Sequence, residues 1–205
     1  MIIHDCEQRS PEWYEIRKGK FTASDANTIL AMGKGVQTLI NKKLAEYYSS
    51  GNFEEFTATY TNKNIDRGVK FEEQARAIYE LETGNKVTQV GFIELSNYVG
   101  CSPDGLVNDD GLIEIKNHND EVFLKLLEDR KIEKKYLDQM QMQLYVTGRE
   151  WCDYFGFNPN FSPCFIKIRV YPDKDVQLRL REALEEAVRA FDRRKVTIDA
   201  ILERI

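Results

Sequence analysis

The stretch that decides the fold is residues 102–116, which read SPDGLVNDDGLIEIK. Its central NDDG run is typical of a tight turn, and apolar residues flank that run on both sides. If the loop spans three residues, Val107 pairs with Gly111 and Asp104 falls opposite Glu114. A slip of one residue would put the two carboxylates on opposite faces, so the sequence makes a definite geometric prediction.

The second strand of this predicted hairpin has two unlike faces. Side chains alternate along a strand, so Leu112, Glu114 and Lys116 share one face while Ile113 and Ile115 share the other. Two isoleucines opposite a Glu-Lys pair are typical of a half-buried strand. The sequence therefore predicts a polar face at the mouth of a cleft.

The residue types on this hairpin suit metal-dependent cleavage of a phosphodiester. Mg²⁺ prefers oxygen ligands, and two carboxylates such as Asp104 and Glu114 can hold it. A lysine two residues from a ligand, as Lys116 is, can orient water or offset developing negative charge. The alternative is a surface hairpin with an ordinary Glu-Lys ion pair.

Length and composition predict one globular domain spanning residues 1–205, with 42% hydrophobic and 31% charged residues. The net charge of −5 argues against a coat-like, non-specific nucleic-acid binder, but a nuclease can keep a local basic surface such as 17–20. No apolar run reaches the length of a membrane span, and no signal peptide begins the chain. The four cysteines are scattered, which favours a reducing, intracellular setting without a zinc site.

Hydrophobic periodicity and turn residues predict an α/β (α+β) fold, with a mixed sheet flanked by helices. The segment 53–61 is ambiguous. Ser24 is expected to N-cap the second helix. The predicted helices are 11–18, 24–32, 36–49, 63–82, 120–130, 132–147 and 174–203. The predicted strands are 86–95, 98–101, 104–107, 112–116, 151–157 and 164–171.

Two further polar residues lie on predicted helices. Gly68 and Glu72 are one turn apart, so the glycine would clear space beside the carboxylate; without other evidence Glu72 is an ordinary exposed acid. Gln141 falls in an apolar sector of its helix. A buried amide needs partners, so Gln141 either joins a core network or points into a polar cleft.

Four parts of the chain together resemble the lambda exonuclease/YqaJ family of phage recombination nucleases, within the PD-(D/E)xK superfamily. The resemblance implies a restriction-endonuclease-like fold. It runs in order along most of the chain, although Arg67 and Asn117-His118-Asn119 depart from the family pattern. The matching parts are Trp13–Ser24, Gly68–Glu72, Gly100–Lys116 and Gln139–Thr147.

The resemblance also implies roles for individual residues. Asp104, Glu114 and the backbone carbonyl of Ile115 would bind Mg²⁺, for which Mn²⁺ would substitute, and each site would hold two ions. Glu72 would hold a metal ion or its water. Lys116 would position the attacking water. The remaining implied site residues are Gln141, which would support the site and substrate, and Arg17 and Ser24, which would lie near the 5′-phosphate.

The function implied is processive 5′→3′ degradation of one strand of linear double-stranded DNA. The family members closest to this pattern form ring-shaped trimers and pass the 3′ overhang to a single-strand annealing protein. The setting would be a bacterial cell carrying a phage or prophage. Two alternatives stay open: a restriction-like endonuclease or junction resolvase on the same core, and a non-catalytic DNA-end-binding module.

Overall fold

The computed structural model describes residues 1–50 and 63–204, and only the backbone of residues 63–70. A 3₁₀ turn at Ala23–Asp25 precedes the second helix. The helices are α1 (Pro11–Arg17), α2 (Ala26–Ala31), α3 (Lys34–Tyr48), α4 (Lys63–Thr83), α5 (Asp120–Asp129), α6 (Lys134–Thr147) and α7 (Lys174–Leu202). The strands are β1 (Ile2–His4), β2 (Phe21–Thr22), β3 (Val87–Thr88), β4 (Phe92–Ser96), β5 (Val99–Cys101), β6 (Gly105–Val107), β7 (Gly111–Asn117), β8 (Trp151–Phe157) and β9 (Phe165–Val170).

The strands of the described residues form two sheets. A five-stranded sheet has the order β3-β6-β7-β8-β9, and a four-stranded sheet has the order β1-β4-β5-β2. The larger sheet is mixed, because β7 runs antiparallel to β6 and parallel to β8. Helices α5 and α6 form the crossover between those two parallel strands. The predicted α/β (α+β) class with a mixed sheet flanked by helices is confirmed.

The hairpin of β6 and β7 has the register that the sequence predicts. Val107 pairs with Gly111, and Gly105 pairs with Ile113, so the next position along places Asp104 opposite Glu114.

The turn between β6 and β7 is fixed from outside the hairpin. Arg149, just after α6, donates from Nη1 to the carbonyl oxygens of Val107, Asn108 and Gly111 at 3.2, 3.1 and 2.6 Å. Asn108 has a left-handed backbone with φ of 46°, a conformation that Asn tolerates better than most residues. The turn residues and the distant arginine therefore fix the register together.

Strand β7 is buried on both faces, which corrects the expectation of a half-buried strand. Ile113 and Ile115 pack into a core that includes Ala75 and Tyr79 of α4. On the other face, Glu114 is 1% exposed and is covered by side chains of α6. The polar face of the strand therefore lies inside the molecule, and only Lys116 reaches its edge, with 24% of its side chain exposed.

The periodicity predicted one strand over 86–95, but the structure has two strands there. These are β3 and β4, which pair with β6 in one sheet and with β1 and β5 in the other. The break comes at 89–91, where Gly91 donates to the carbonyl of His4 and Val90 accepts from Gln8. The two short strands β1 and β2 were not predicted.

The expected N-cap at Ser24 is also wrong. Thr22 opens the 3₁₀ turn, and Asp25 accepts from both the backbone N–H and the hydroxyl of Thr22 in a capping box. Ser24 lies inside that turn, with its exposed hydroxyl 3.1 Å from the hydroxyl of Thr22.

The other predicted elements match the structure to within two residues over the described parts of the chain. The segment 53–61 and the surroundings of Gly68 lie outside the described residues. None of the described helices combines the length and the apolar character that crossing a membrane requires.

Candidate active site

The structure brings Asp104, Glu114 and Lys116 together at the hairpin. Asp104 directly precedes β6, and its Oδ2 accepts from the backbone N–H of Ile115 at 2.6 Å. Lys116 Nζ forms an ion pair with Glu114 Oε1. The hairpin register thus delivers two carboxylates, one ammonium group and the Ile115 backbone to one place.

Glu114 is held by helix α6 as well as by its own strand. Its Oε1 accepts from Gln139 Nε2 at 2.6 Å, and its Oε2 accepts from Gln143 Nε2 at 2.6 Å. These glutamines are four residues apart, so they lie one turn apart on the same face of α6. Both oxygens of a nearly inaccessible carboxylate therefore have donors, as a buried charge requires.

The charges in this cluster influence one another. Removal from water raises the pKa of the Asp104 carboxyl well above its ordinary value, and the negative charges of Glu114 and Glu72 raise it further against the opposing effect of Lys116. Removal from water alone would lower the pKa of Lys116, but Glu114 and Asp104 outweigh that effect and raise it. Lys116 is therefore a cation at neutral pH.

Glu72 borders this cluster from α4 and is paired with two arginines. Arg76 lies 3.0 Å from Oε1, and Arg9 lies 3.3 Å from Oε2. The negative charge of Glu72 contributes to the raised pKa of Asp104, so the two carboxyl groups belong to the same charged region. Glu72 thus lies near the hairpin and is held by its arginine partners.

Gln141 does not lie with the other predicted site residues. Its side chain donates to the carbonyl of Tyr171 at 2.8 Å and accepts from the N–H of Asp173 at 3.0 Å and from Gln177 at 2.8 Å. At 100° per residue, a side chain two positions from Gln139 points to the opposite side of α6. Of the two alternatives, the core network is correct, and Gln141 ties α6 to the start of α7.

Gln139 and Gln143 are the site residues that sequence reasoning missed. Together with Gln141 they form a run of alternating glutamines on a strongly periodic helix. The signal that could have found them is their i, i+4 spacing, because only those two can reach one carboxylate from one helix face. Without that signal, one must know how α6 is rotated about its axis to say which of the three glutamines faces Glu114.

Arg17 reaches the loop that carries Asp104. Its Nη1 donates to Ser102 Oγ at 3.0 Å, and its guanidinium lies 4.0 Å from the centroid of the Trp13 ring. Trp13 Nε1 donates to the same serine oxygen at 2.9 Å. Removal from water lowers the pKa of Arg17. Ser24 lies in the turn that follows, where its hydroxyl contacts that of Thr22 and not Arg17 or Ser102.

His118 lies beyond Lys116, where the chain departs from the family pattern. It is buried, its Nε2 is 2.7 Å from the hydroxyl of Tyr154, and removal from water lowers its pKa to about 4. Lys116 Nζ lies 5.1 Å from the ring centroid of Tyr136, and Tyr136 in turn packs near His118. These rings form an uncharged wall beside the ammonium group.

Comparison with solved structures places this fold among exonucleases. The alkaline exonuclease LHK-Exo from Laribacter hongkongensis is 28% identical, with a TM-score of 0.79 over 94% of this chain and 100% of that one. LHK-Exo in complex with dAMP gives 28% identity and a TM-score of 0.83, over 95% and 99% of the two chains. A phage-related exonuclease from Haemophilus somnus 129PT shares the fold at 14% identity and a TM-score of 0.61, over 90% and 99%.

The chain therefore has the fold of an alkaline exonuclease, with the hairpin site at its centre. Residues 12–150 match the model of the YqaJ-like viral recombinase domain, which is more than half of the chain. The chain belongs to the YqaJ-like viral recombinase family, and the family resemblance predicted from the sequence is confirmed. No curated protein matches the chain by sequence.

The raised pKa of Asp104 leads to a stability prediction. A carboxyl whose pKa is higher in the folded protein than its ordinary 3.8 favours folding at low pH, and this contribution is lost as the pH rises through the folded value. Asp104→Asn keeps an acceptor for Ile115 and removes the charge. We therefore expect it to raise the melting temperature in EDTA at about pH 8 by about 2–4 °C, the shift that 1 kcal/mol produces in a chain of this size.

Scanning calorimetry between about pH 4 and pH 8 checks this expectation. The increase in melting temperature of Asp104→Asn over the wild type should become smaller as the pH falls, because Asp104 of the wild type then binds a proton. Asp109→Asn, on the exposed turn, serves as the control and should leave the melting temperature unchanged. A melting temperature for Asp104→Asn below that of the wild type at pH 8 would contradict the electrostatic account.

Proposed function

We propose that this chain is a Mg²⁺-dependent exonuclease that degrades one strand of linear double-stranded DNA from its 5′ end and leaves a 3′ overhang. The observation that carries the proposal is the pair of Asp104, which is half-buried and bonded to the Ile115 N–H, and Glu114, which is buried and bonded to Gln139, with Lys116 beside Glu114. The family and the exonuclease relatives support the same reaction class.

The donor set fits a divalent cation. Asp104 and Glu114 are oxygen ligands, and the pKa of Asp104 is raised first by removal from water and then by the negative charge of Glu114, which a cation would neutralise. Among the described residues, no group of three or more His, Cys, Asp or Glu side chains is arranged to hold a metal ion. The proposed ligands are the two carboxylates that the hairpin brings together and the carbonyl of Ile115, and Glu72 is proposed to hold a second ion or its water. Mn²⁺ would substitute for Mg²⁺.

When bound, such a cation would polarise the scissile phosphate and lower the pKa of the attacking water. The chain's own residues supply positioning and charge. Lys116 stays protonated beside Glu114, so it can orient the water and stabilise the negative charge that develops on phosphate. Gln139 and Gln143 fix the direction of Glu114. Supporting groups of this kind typically affect metal affinity or activity by about 10–100-fold.

The 5′ end is proposed to bind near Arg17. Its guanidinium contacts the Trp13 ring and donates to Ser102, which lies two residues before Asp104. The fork of donors on a guanidinium group matches the oxygens of a terminal phosphate. Ser24 is proposed to contribute from the adjacent turn through its exposed hydroxyl.

Processive digestion is proposed to require a ring of three copies. A chain with a net charge of −5 has little general electrostatic hold on DNA, so long runs of cleavage need enclosure of the strand. The proposed setting is a phage-type recombination reaction inside a bacterial cell, in which a single-strand annealing protein takes over the 3′ overhang.

The deciding experiment uses a linear duplex labelled at either the 5′ or the 3′ end, with and without Mg²⁺. We expect Mg²⁺-dependent early release of the 5′ label, loss of the 3′ label only late, and no cutting of closed circular DNA.

A duplex with 5′-phosphate ends should be digested faster than a duplex with 5′-hydroxyl ends. Arg17→Ala should reduce the difference between these two rates. Lys116→Ala should lower kcat by about 100-fold or more with little change in DNA affinity.

Three outcomes would contradict the proposal. Cleavage of closed circles would identify an endonuclease or junction resolvase. DNA binding without release of either label would identify an end-binding module. Near-normal turnover by Lys116→Ala would remove Lys116 from the reaction, and Lys135→Ala, at an exposed neighbouring lysine, provides the matched control.

A second prediction distinguishes the role of Gln139 from that of Gln141 on α6. Gln139→Ala removes one donor to Glu114, so we expect about a 10-fold or greater loss of nuclease activity with a small change in melting temperature. Gln141→Ala removes the bonds to Tyr171 and Asp173, so we expect a lower melting temperature with the specific activity of the folded protein retained. The reverse pattern in calorimetry and cleavage assays would show that Gln141 acts at the site.

A further inference from the structure

The N-terminal segment before α1 is attached to the loop that carries Asp104. Gln8 Nε2 donates to the carbonyl of Pro103 at 2.9 Å and to that of Val90 at 2.9 Å. Pro103 directly precedes Asp104, so the position of Gln8 is fixed relative to the catalytic hairpin.

Arg9, next in sequence, has a left-handed backbone conformation with φ of 71°. Its neighbours are both held, because Gln8 bonds to Pro103 and the hydroxyl of Ser10 accepts from the N–H of Trp13 at 3.2 Å as the cap of α1. Left-handed residues other than glycine are uncommon, and they are concentrated at functional sites where the surrounding structure enforces them. Here the conformation carries a long cationic side chain to the edge of the site.

The side chain of Arg9 is only loosely engaged. Its Nη2 lies 3.3 Å from Glu72 Oε2, and 42% of the side chain is exposed. Arg76 makes the closer contact with Glu72, at 3.0 Å, and is only 12% exposed. Two guanidinium groups thus share one carboxylate, which leaves a net positive charge beside the negatively charged pair of Asp104 and Glu114.

We propose that Arg9 binds a phosphate oxygen of the DNA strand as it enters the site formed by Asp104 and Glu114. The proposal rests on the proposed nuclease function and adds a binding residue to it. A guanidinium group offers several donors in a fixed fork, so the donors of Arg9 that do not face Glu72 can meet a phosphate. Arg76 keeps Glu72 paired when Arg9 turns to the strand.

The alternative is that Arg9 forms an ordinary surface ion pair, which contributes little to stability. The two interpretations predict opposite results for Arg9→Gly. Glycine adopts a left-handed backbone without strain, so removing an arginine that only binds DNA leaves the melting temperature equal or higher. Removing an arginine that holds the fold through Glu72 lowers the melting temperature and leaves DNA binding unchanged.

The test measures binding of a fluorescent linear duplex by anisotropy in EDTA, between about 50 and 200 mM KCl. Each phosphate contact contributes about 0.9 to the slope of log affinity against log salt. We expect Arg9→Gly and Arg9→Gln each to reduce the slope by about that amount and to weaken binding several-fold at low salt. The matched control is Arg189→Gln, at an exposed arginine on α7 whose own carboxylate partner, Glu185, lies 3.7 Å away.

An unchanged slope in both Arg9 variants would overturn the inference, and so would an equal loss in Arg189→Gln. A clear fall in the melting temperature of Arg9→Gly with an unchanged slope would assign Arg9 a structural role instead. If the wild type fails to bind the duplex at all, the proposed function fails and this inference falls with it. If the wild type binds and the Arg9 variants bind identically, only the inference fails.

Discussion

The buried carboxylate of Glu114 is the constraint on which the site depends. A charge that is 1% exposed is costly unless every oxygen has a partner, and its partners come from the same strand and from α6. Helix α6 must therefore pack on β7 with a defined rotation about its axis and a defined position along it. Only then do Gln139 and Gln143 both reach the Glu114 carboxylate. The same packing places Tyr136 beside Lys116 and so forms one wall of the site.

The hairpin could be predicted from sequence because its main determinants are local, and the distant Arg149 supports the turn that they already favour. Turn residues and alternation along β7 fix the register, and the register places Asp104 opposite Glu114. The burial of both faces of β7 could not be predicted in this way, because it depends on where α4 and α6 pack. The contacts of Gln141 could not be predicted for the same reason: the apolar stripe indicates the type of element, but tertiary contacts decide which glutamine faces the carboxylate and which bonds to Tyr171.

The N-terminal part of the site was beyond local reasoning. Strand β1 pairs with residues about ninety positions away, as in the pair of Ile2 and Glu94, and Arg17 bonds to Ser102 across a similar separation. Short strands with such distant partners carry little periodic signal. Family resemblance predicted a role for Arg17, but the anchoring of the N-terminal segment through Gln8 and the left-handed backbone of Arg9 emerge only from the fold.

The most direct test of the central claim is calorimetric titration of Mg²⁺ and Mn²⁺ into the wild type, Asp104→Asn, Glu114→Gln and the turn variant Asp109→Asn. The account predicts saturable binding to the wild type and to Asp109→Asn, and about 10-fold or weaker binding to the other two, because each loses a carboxylate ligand. Equal affinity in all four proteins would show that the hairpin is not the metal site.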